Sequence, residues 1–273
     1  MRDEIAIITG AASGIGRHFA GEMFRRGYRL VLADIAFARL GESFSESDNL
    51  RLFELDIRDR EAWGRLFAEV EGRFGRLDYL FNIAGVHQPA YTADATLDDV
   101  DLHLDVNAKG TMYGTVLAVR RMTRQGFGQV VNVASLTGVA PITGLDLYSA
   151  SKFAIRGFSL AAAHGLQGTG VTVTVVCPDL VATPMMEHQL DFDASALAFS
   201  GSRPLTVEET TRALFRAMEK RPMEIGLPAS RRVLAKIGNL APGLATILTR
   251  KLTTKGLETM RRMRREREES KKP

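Results

Sequence analysis

Tyr148-Ser149-Ala150-Ser151-Lys152 places a phenol and an ammonium four residues apart, so a helix through this segment carries both on one face. A tyrosine with an ordinary pKa of about 10 is a poor proton acceptor near neutrality. A neighbouring cation favours the phenolate and brings general acid and base chemistry within reach. The same spacing occurs on many exposed amphipathic helices, so the pair by itself decides nothing. Two upstream residues add weight. Ser135 follows the apolar run Val130-Val131-Asn132-Val133, where a strand end can carry a hydroxyl to hold a substrate oxygen. Asn107 falls inside a long helix predicted over Leu97 to Arg124. There an amide is a mediocre helix former that competes with the backbone ladder; its plainer reading is a satisfied core amide.

A second chemical signal lies near the start. Thr9-Gly10-Ala11-Ala12-Ser13-Gly14-Ile15-Gly16 follows an apolar run and opens a helical pattern. Glycines there allow a tight turn and close backbone approach to a phosphate, which the N–H groups and positive end of the helix attract. Asp34 closes the next apolar run, where a carboxylate accepts hydrogen bonds from an adenosine ribose and repels a 2′-phosphate. NAD is therefore expected over NADP, with Arg39 the nearest contrary charge. Asp56-Ile57 follows a third strand, where Asp56 either meets the adenine edge or caps the helix predicted over Asp59 to Phe74.

These groups need a scaffold that brings strand ends together. Apolar runs at Ile5 to Ile8, Leu30 to Ala33, Tyr79 to Phe81, Val130 to Val133 and Val171 to Val176 read as strands buried on both faces. Between or after them, Gly14 to Arg26, Asp59 to Phe74, Leu97 to Arg124, Tyr148 to Gln167 and Val207 to Lys220 read as helices. The alternation predicts an α/β fold: a Rossmann-like, doubly wound parallel sheet with helices on both faces. With 273 residues, 45% of them hydrophobic, the chain can bury one sizeable core, expected over residues 1–229.

Composition excludes several classes. Cys177 is the only cysteine, so neither an intrachain disulfide nor a cysteine-cluster metal site is expected, and no metal is predicted. The charged start Met1-Arg2-Asp3-Glu4 lacks a signal-peptide pattern, and no apolar run is long enough to span a bilayer, so a cytoplasmic location is expected. Residues 230–273 hold 13 lysines and arginines against 4 acids, leaving 23 against 28 in the rest. This basic amphipathic extension is the sole argument for nucleic-acid binding, which is not expected without an aromatic platform or a basic recognition helix in the body.

Together these motifs resemble the short-chain dehydrogenase/reductase family, in its shorter single-domain branch, over about residues 4–228. Thr9 to Gly16 resembles the TGxxxGxG cofactor loop and Asn82-Ile83-Ala84-Gly85 the NNAG element. Asn107, Ser135, Tyr148 and Lys152 resemble the catalytic tetrad, and Pro178 to Thr183 the PGxxxT segment. The resemblance implies that Tyr148 exchanges the hydroxyl proton, Ser135 holds the oxygen and Asn107 positions a relay water. Lys152 lowers the tyrosine pKa and bonds the nicotinamide ribose. It further implies that the backbone near Val181 and the Thr183 hydroxyl hold the nicotinamide carboxamide, and that the chain forms a homodimer or homotetramer. Two positions depart from the pattern: Ile83 replaces a second Asn, and Asp179, read as a surface carboxylate, replaces a Gly. The expected activity is hydride exchange between NAD(H) and an alcohol or ketone. A catalytically idle nucleotide-binding regulator of the same fold is the alternative. An epimerase or dehydratase of the family's longer branch fits the glycine spacing less well.

An irregular substrate lid is expected at about 184–204. Met185, Met186, Phe192, Leu197 and Phe199 make it apolar and adaptable, which suits a lipophilic substrate as well as core packing. His87, Gln88, Tyr91, Leu145 and Asp146 are further candidates for the pocket wall. The extension reads as amphipathic segments at Arg231 to Leu240 and Leu244 to Leu252, parted by Ala241-Pro242-Gly243, then a charged helix over Arg261 to Lys272. It is expected to cover the cleft or contact another subunit; peripheral docking on an anionic membrane is the alternative.

Overall fold

A computed structural model describes residues 3–240 and 242–270, with the side chains of 242 and 244–248 outside the description. Seven strands form one parallel sheet in the order β3-β2-β1-β4-β5-β6-β7: β1 (Ile5–Thr9), β2 (Arg29–Asp34), β3 (Leu50–Glu54), β4 (Tyr79–Asn82), β5 (Gly128–Val133), β6 (Val171–Pro178) and β7 (Glu224–Leu227). The inner strands are mostly apolar because helices cover both faces, with Asn82, Gln129, Asn132 and Thr174 as buried polar exceptions. Phe19, Phe81, Leu214 and Phe215 fill one layer, and Trp63, Leu66, Leu80 and Val130 the other. This is the doubly wound Rossmann-like architecture. Its order reverses between β1 and β4, where such sheets open a crevice at the carboxyl ends of the strands.

The helices are α1 (Gly14–Arg25), α2 (Phe37–Ser43), α3 (Arg60–Phe74), α4 (Leu97–Leu102), α5 (Thr111–Gln125), α6 (Asp146–Gly165), α7 (Pro184–Gln189), α8 (Val207–Lys220), α9 (Ala229–Leu240) and α10 (Pro242–Glu269). Asp59, not Asp56, caps α3, accepting the Glu61 N–H. The single helix expected over Leu97 to Arg124 is divided: α4 passes into a π-helical stretch, His103–Gly110, before α5 begins. Asn107 lies in that widened stretch, where its amide engages neighbouring backbone.

The segment expected as an irregular lid, about 184–204, is instead ordered: α7 is followed by a 3-10 stretch, Asp193–Ser200. Beyond β7, α9 matches the first expected tail segment, and the long α10 runs through the second and most of the third as one helix. Pro242 opens α10, a position where a missing N–H costs nothing. Ala241 and the part of the expected terminal helix beyond Ser270 lie outside the described residues. The C-terminal half of α10 packs on the lid. Met260 is fully buried among Leu145, Met186, Leu190 and Phe199, while Arg264 donates to the Leu190 carbonyl and pairs with Asp193. Gly256 permits this approach, since a Cβ there would stand 1.8 Å from the Ala196 carbonyl oxygen.

Candidate active site

The glycine turn after β1 and the turn after β4 meet at the reversal point. Thr9 Oγ1 accepts the N–H groups of Ile83 (3.1 Å) and Ala84 (3.2 Å), and a Cβ on Gly10 would lie 2.8 Å from the Ala84 backbone. At Gly16 a Cβ would fall 2.1 Å from the Gly10 carbonyl oxygen. The turn therefore closes onto the start of α1 only with glycine at these places. Ile83 takes part through its backbone, so the turn survives without a second asparagine. Ser13 caps α1 with no side-chain bond of its own, leaving the helix end open to an anion.

In front of this turn lies a cavity of about 350 Å³. Gly10, Ser13, Gly14, Ile15 and Gly16 form its floor, Asp34, Asp56 and Ile57 one end, and Ala84, Gly85 and Thr183 the other. Asp34 holds its place by accepting the N–H groups of Ala12 and Ala36, each at 2.9 Å. Asp56 is gripped by the Arg58 guanidinium, which lowers its pKa. Asn82 sits behind the cavity rather than on it. Its Nδ2 donates to Asn132 Oδ1 (2.8 Å) and Thr115 Oγ1 (3.1 Å), tying β4 to β5 and α5.

A smaller cleft of about 100 Å³ continues from the cavity, sharing Gly85 and Thr183 with it. Ser135, Tyr148 and Lys152 line it, together with Pro178, Val181 and the lid. The approach of Ser135 to Tyr148 follows from packing: Gly138, in the 3-10 turn after Ser135, lies so close to α6 that a Cβ would meet the Lys152 carbonyl oxygen at 2.5 Å. Ser135 Oγ donates to the Pro178 carbonyl at 3.4 Å and accepts the Thr137 N–H at 3.2 Å. Burial pushes the phenol pKa up, and the neighbouring Ser135 hydroxyl opposes that shift.

Lys152 is nearly inaccessible, donates to the Val133 carbonyl at 3.2 Å and stands 5.4 Å from the Tyr148 ring centre. Burial brings its pKa down to about 8, so the amine remains mostly cationic at neutral pH. Asn107 does not reach the cleft by its amide. Its Oδ1 accepts the Val86 N–H (2.8 Å), while Nδ2 donates to the Val86 carbonyl (3.0 Å) and Ser151 Oγ (3.1 Å).

Of the further pocket candidates, Leu145 lines the cleft. His87 packs edge-on to Tyr148 at 4.4 Å between ring centres, with neither ring nitrogen bonded, and burial lowers its pKa to about 3. Gln88 turns to His103 and His188, Asp146 to Thr92 and Gly144, and Tyr91 is exposed. Asp179 lines the cleft but is not a free surface carboxylate: it pairs with Arg231 of α9 at 2.8 Å. Residue type alone did not reveal Thr137 and Gln189, which line the cleft from the turn after Ser135 and from the lid.

Among the described residues, no group of three or more His, Cys, Asp and Glu side chains is placed to hold a metal, and no helix is long and apolar enough to cross a membrane. The glycine turn fits a dinucleotide pyrophosphate, since Gly10, Gly14 and Gly16 line the cavity with bare main chain at the uncapped N-terminus of α1. Fold and site together define a nicotinamide-linked oxidoreductase. A family profile described as short chain dehydrogenase matches residues 4–193, and the chain belongs to the short-chain dehydrogenase/reductase family. An uncharacterized oxidoreductase of Staphylococcus saprophyticus is 31% identical over 190 residues, covering 68% of this chain and 81% of the relative. Among solved structures, a serine dehydrogenase complexed with NADP+ is 27% identical with a TM-score of 0.75, over 82% of this chain and 94% of that one. The apo form of LigD from Sphingobium is 29% identical with a TM-score of 0.75, over 88% and 96%.

Proposed function

We propose that this protein is an NAD-dependent dehydrogenase/reductase that interconverts a lipophilic alcohol and its ketone. The observation that carries this reading is that Ser135, Tyr148 and Lys152 line one cleft that opens from the larger cavity, with the Lys152 ammonium 5.4 Å from the Tyr148 ring centre. Bound, the nicotinamide supplies the acceptor or donor for a hydride. Tyr148 Oη takes the substrate's hydroxyl proton in oxidation and returns it in reduction, while Ser135 Oγ holds the substrate oxygen. The cationic Lys152 offsets phenolate charge and reaches toward the ribose. Asn107 has both amide hydrogens committed, so a relay water falls to its remaining Oδ1 lone pair or its main-chain carbonyl.

The glycine turn, Asp34, Asp56-Ile57, the Asn82–Gly85 turn and the Pro178, Val181 and Thr183 segment hold the cofactor. The preference for NAD rests on Asp34, whose carboxylate offers its remaining lone pairs to a ribose hydroxyl and repels a 2′-phosphate. The one guanidinium lining that cavity, Arg58, is tied to Asp56. The lipophilic body is supported by Ile142, Leu145, Leu180, Met186 and Ala198 around the cleft. We assign residues 1–229 to the catalytic unit and 230–273 to its cover, and expect a homodimer or homotetramer. NADH absorbance followed across a panel of secondary alcohols and ketones, with NADP in parallel, tests the reading. Turnover with a preference for NAD is expected. Binding without turnover would return the chain to an idle regulator, and a strong preference for NADP would remove the role given to Asp34.

A further inference from the structure

The cleft wall contains two polar side chains that the protein itself leaves unsatisfied. Thr137 is 5% exposed and Gln189 6%, yet Thr137 Oγ1 and Gln189 Oε1 have no hydrogen-bond partner. They are the only orphaned atoms among the described residues that belong to side chains lining this cleft. A buried acceptor without a donor forfeits its hydration with nothing in return, so such atoms call for a partner from outside the chain. The two flank the reacting centre from different elements. Thr137 follows Ser135 by two residues and bonds its hydroxyl through the backbone N–H, while Gln189 ends α7 of the lid.

The remaining wall restricts what that partner can be. Among the described residues, Asp179 is the only carboxylate there and is already paired with Arg231, and Lys152 is the only cation. No described arginine or histidine lines the cleft to receive a carboxylate or phosphate on the substrate. A hydroxyl meets these terms: uncharged, it donates to Gln189 Oε1 and can either donate to or accept from Thr137 Oγ1.

Building on the reading of an alcohol and ketone oxidoreductase, we propose that the substrate is a neutral hydroxylated ketone, or the diol it yields. Its second hydroxyl is read by Gln189 and Thr137, and its carbon body lies on Ile142, Leu145 and Met186. Sites built around a substrate hydroxyl discriminate steeply against the analogue without it, because the protein's polar atoms are then stranded; the ratio reaches about 10⁴.

The test compares cyclohexanone with 2-, 3- and 4-hydroxycyclohexanone, and 2-octanone with 1-hydroxy-2-octanone, measuring kcat and KM separately with NADH. The wild-type chain is expected to favour at least one hydroxylated member of a pair by ten-fold or more in kcat/KM. Gln189→Leu and Thr137→Val should each reduce that ratio toward one, mainly through KM, and Gln189→Glu, which keeps an acceptor, should restore part of it. NADH titration of each variant checks that the fold and cofactor site persist. A wild-type ratio near one for every pair, or a Gln189→Leu variant that lowers both members equally, overturns the proposal while leaving the oxidoreductase reading standing. A preference for 3-hydroxy acids or serine over the neutral hydroxyketones also overturns it. Tight NADH binding with no turnover of any ketone removes both readings together.

Discussion

At the cofactor end, position is set by main chain and by missing side chains: Gly10 and Gly16 bring two backbones within contact, and Thr9 and Asp34 spend their oxygens on N–H groups. At the substrate end, side chains from distant elements do the work, with Met186 and Leu190 of the lid region gripped by Met260 of α10, and Asp179 held by Arg231 of α9. The first end leaves the uncapped start of α1 open and is shaped largely by main chain. The second leaves Thr137 and Gln189 unsatisfied and is shaped for something particular. General recognition thus rests on backbone, and specificity on side chains that can be exchanged without disturbing it.

The sharpest way to separate the two ends is Tyr148→Phe. Removing one oxygen should cut turnover by about 10³-fold or more while NADH affinity, read by fluorescence titration, stays within two-fold or so. A parallel loss of NADH binding would show that the ends are not independent. Gly16→Ala attacks the other end: a Cβ 2.1 Å from the Gly10 carbonyl forces the turn apart, so NADH affinity should fall by about 100-fold or more, with a lower melting temperature. Asp34→Ala should shift the ratio of NAD to NADP use by about 10- to 100-fold toward NADP, read from kcat/KM with each cofactor.

Met260→Ala should cost about 2–4 kcal/mol of packing and raise KM for the carbonyl substrate several-fold, with NADH affinity unchanged. Finally, kcat/KM for alcohol oxidation should climb with pH as Tyr148 gives up its proton, then bend as Lys152 loses its charge near its lowered pKa of about 8. His87 should add no limb near neutrality, because burial keeps it neutral down to about pH 3. A profile with a histidine-like limb that vanishes in His87→Phe would contradict that burial.

The cofactor end was legible in the sequence because its signals are local. Glycines, a strand and a helix lie within one short segment, and Tyr148 and Lys152 share one helix face whatever the rest of the fold does. The substrate end was not, because its contacts join residues far apart along the chain. Nothing near Asp179 announces Arg231, and the charge imbalance between body and tail becomes meaningful only when Arg231, Arg264 and Arg267 are seen on Asp179, Asp193 and Asp191. Gly256 falls in the gap between the segments expected at Leu244 to Leu252 and Arg261 to Lys272, yet it lies inside one helix, kept small by the Ala196 backbone beside it. The edge strand β7 and the short α2 escaped because four and seven residues carry too little periodicity. The π-helical stretch was signalled only by Asn107, an amide in the middle of an otherwise helical pattern.

The close seat of Gly256 on Ala196 also bears on the pace of the enzyme. A helix of 28 residues is about 42 Å long, and its latter half is fastened to the lid by Met260, Arg264 and Arg267. On the proposed reading of residues 184–204 as a lid, that segment would either part from the helix at several points together or carry it along. Opening would then be a collective hinge event of the microsecond-to-millisecond class rather than the flicker of a loop, slow enough to limit turnover.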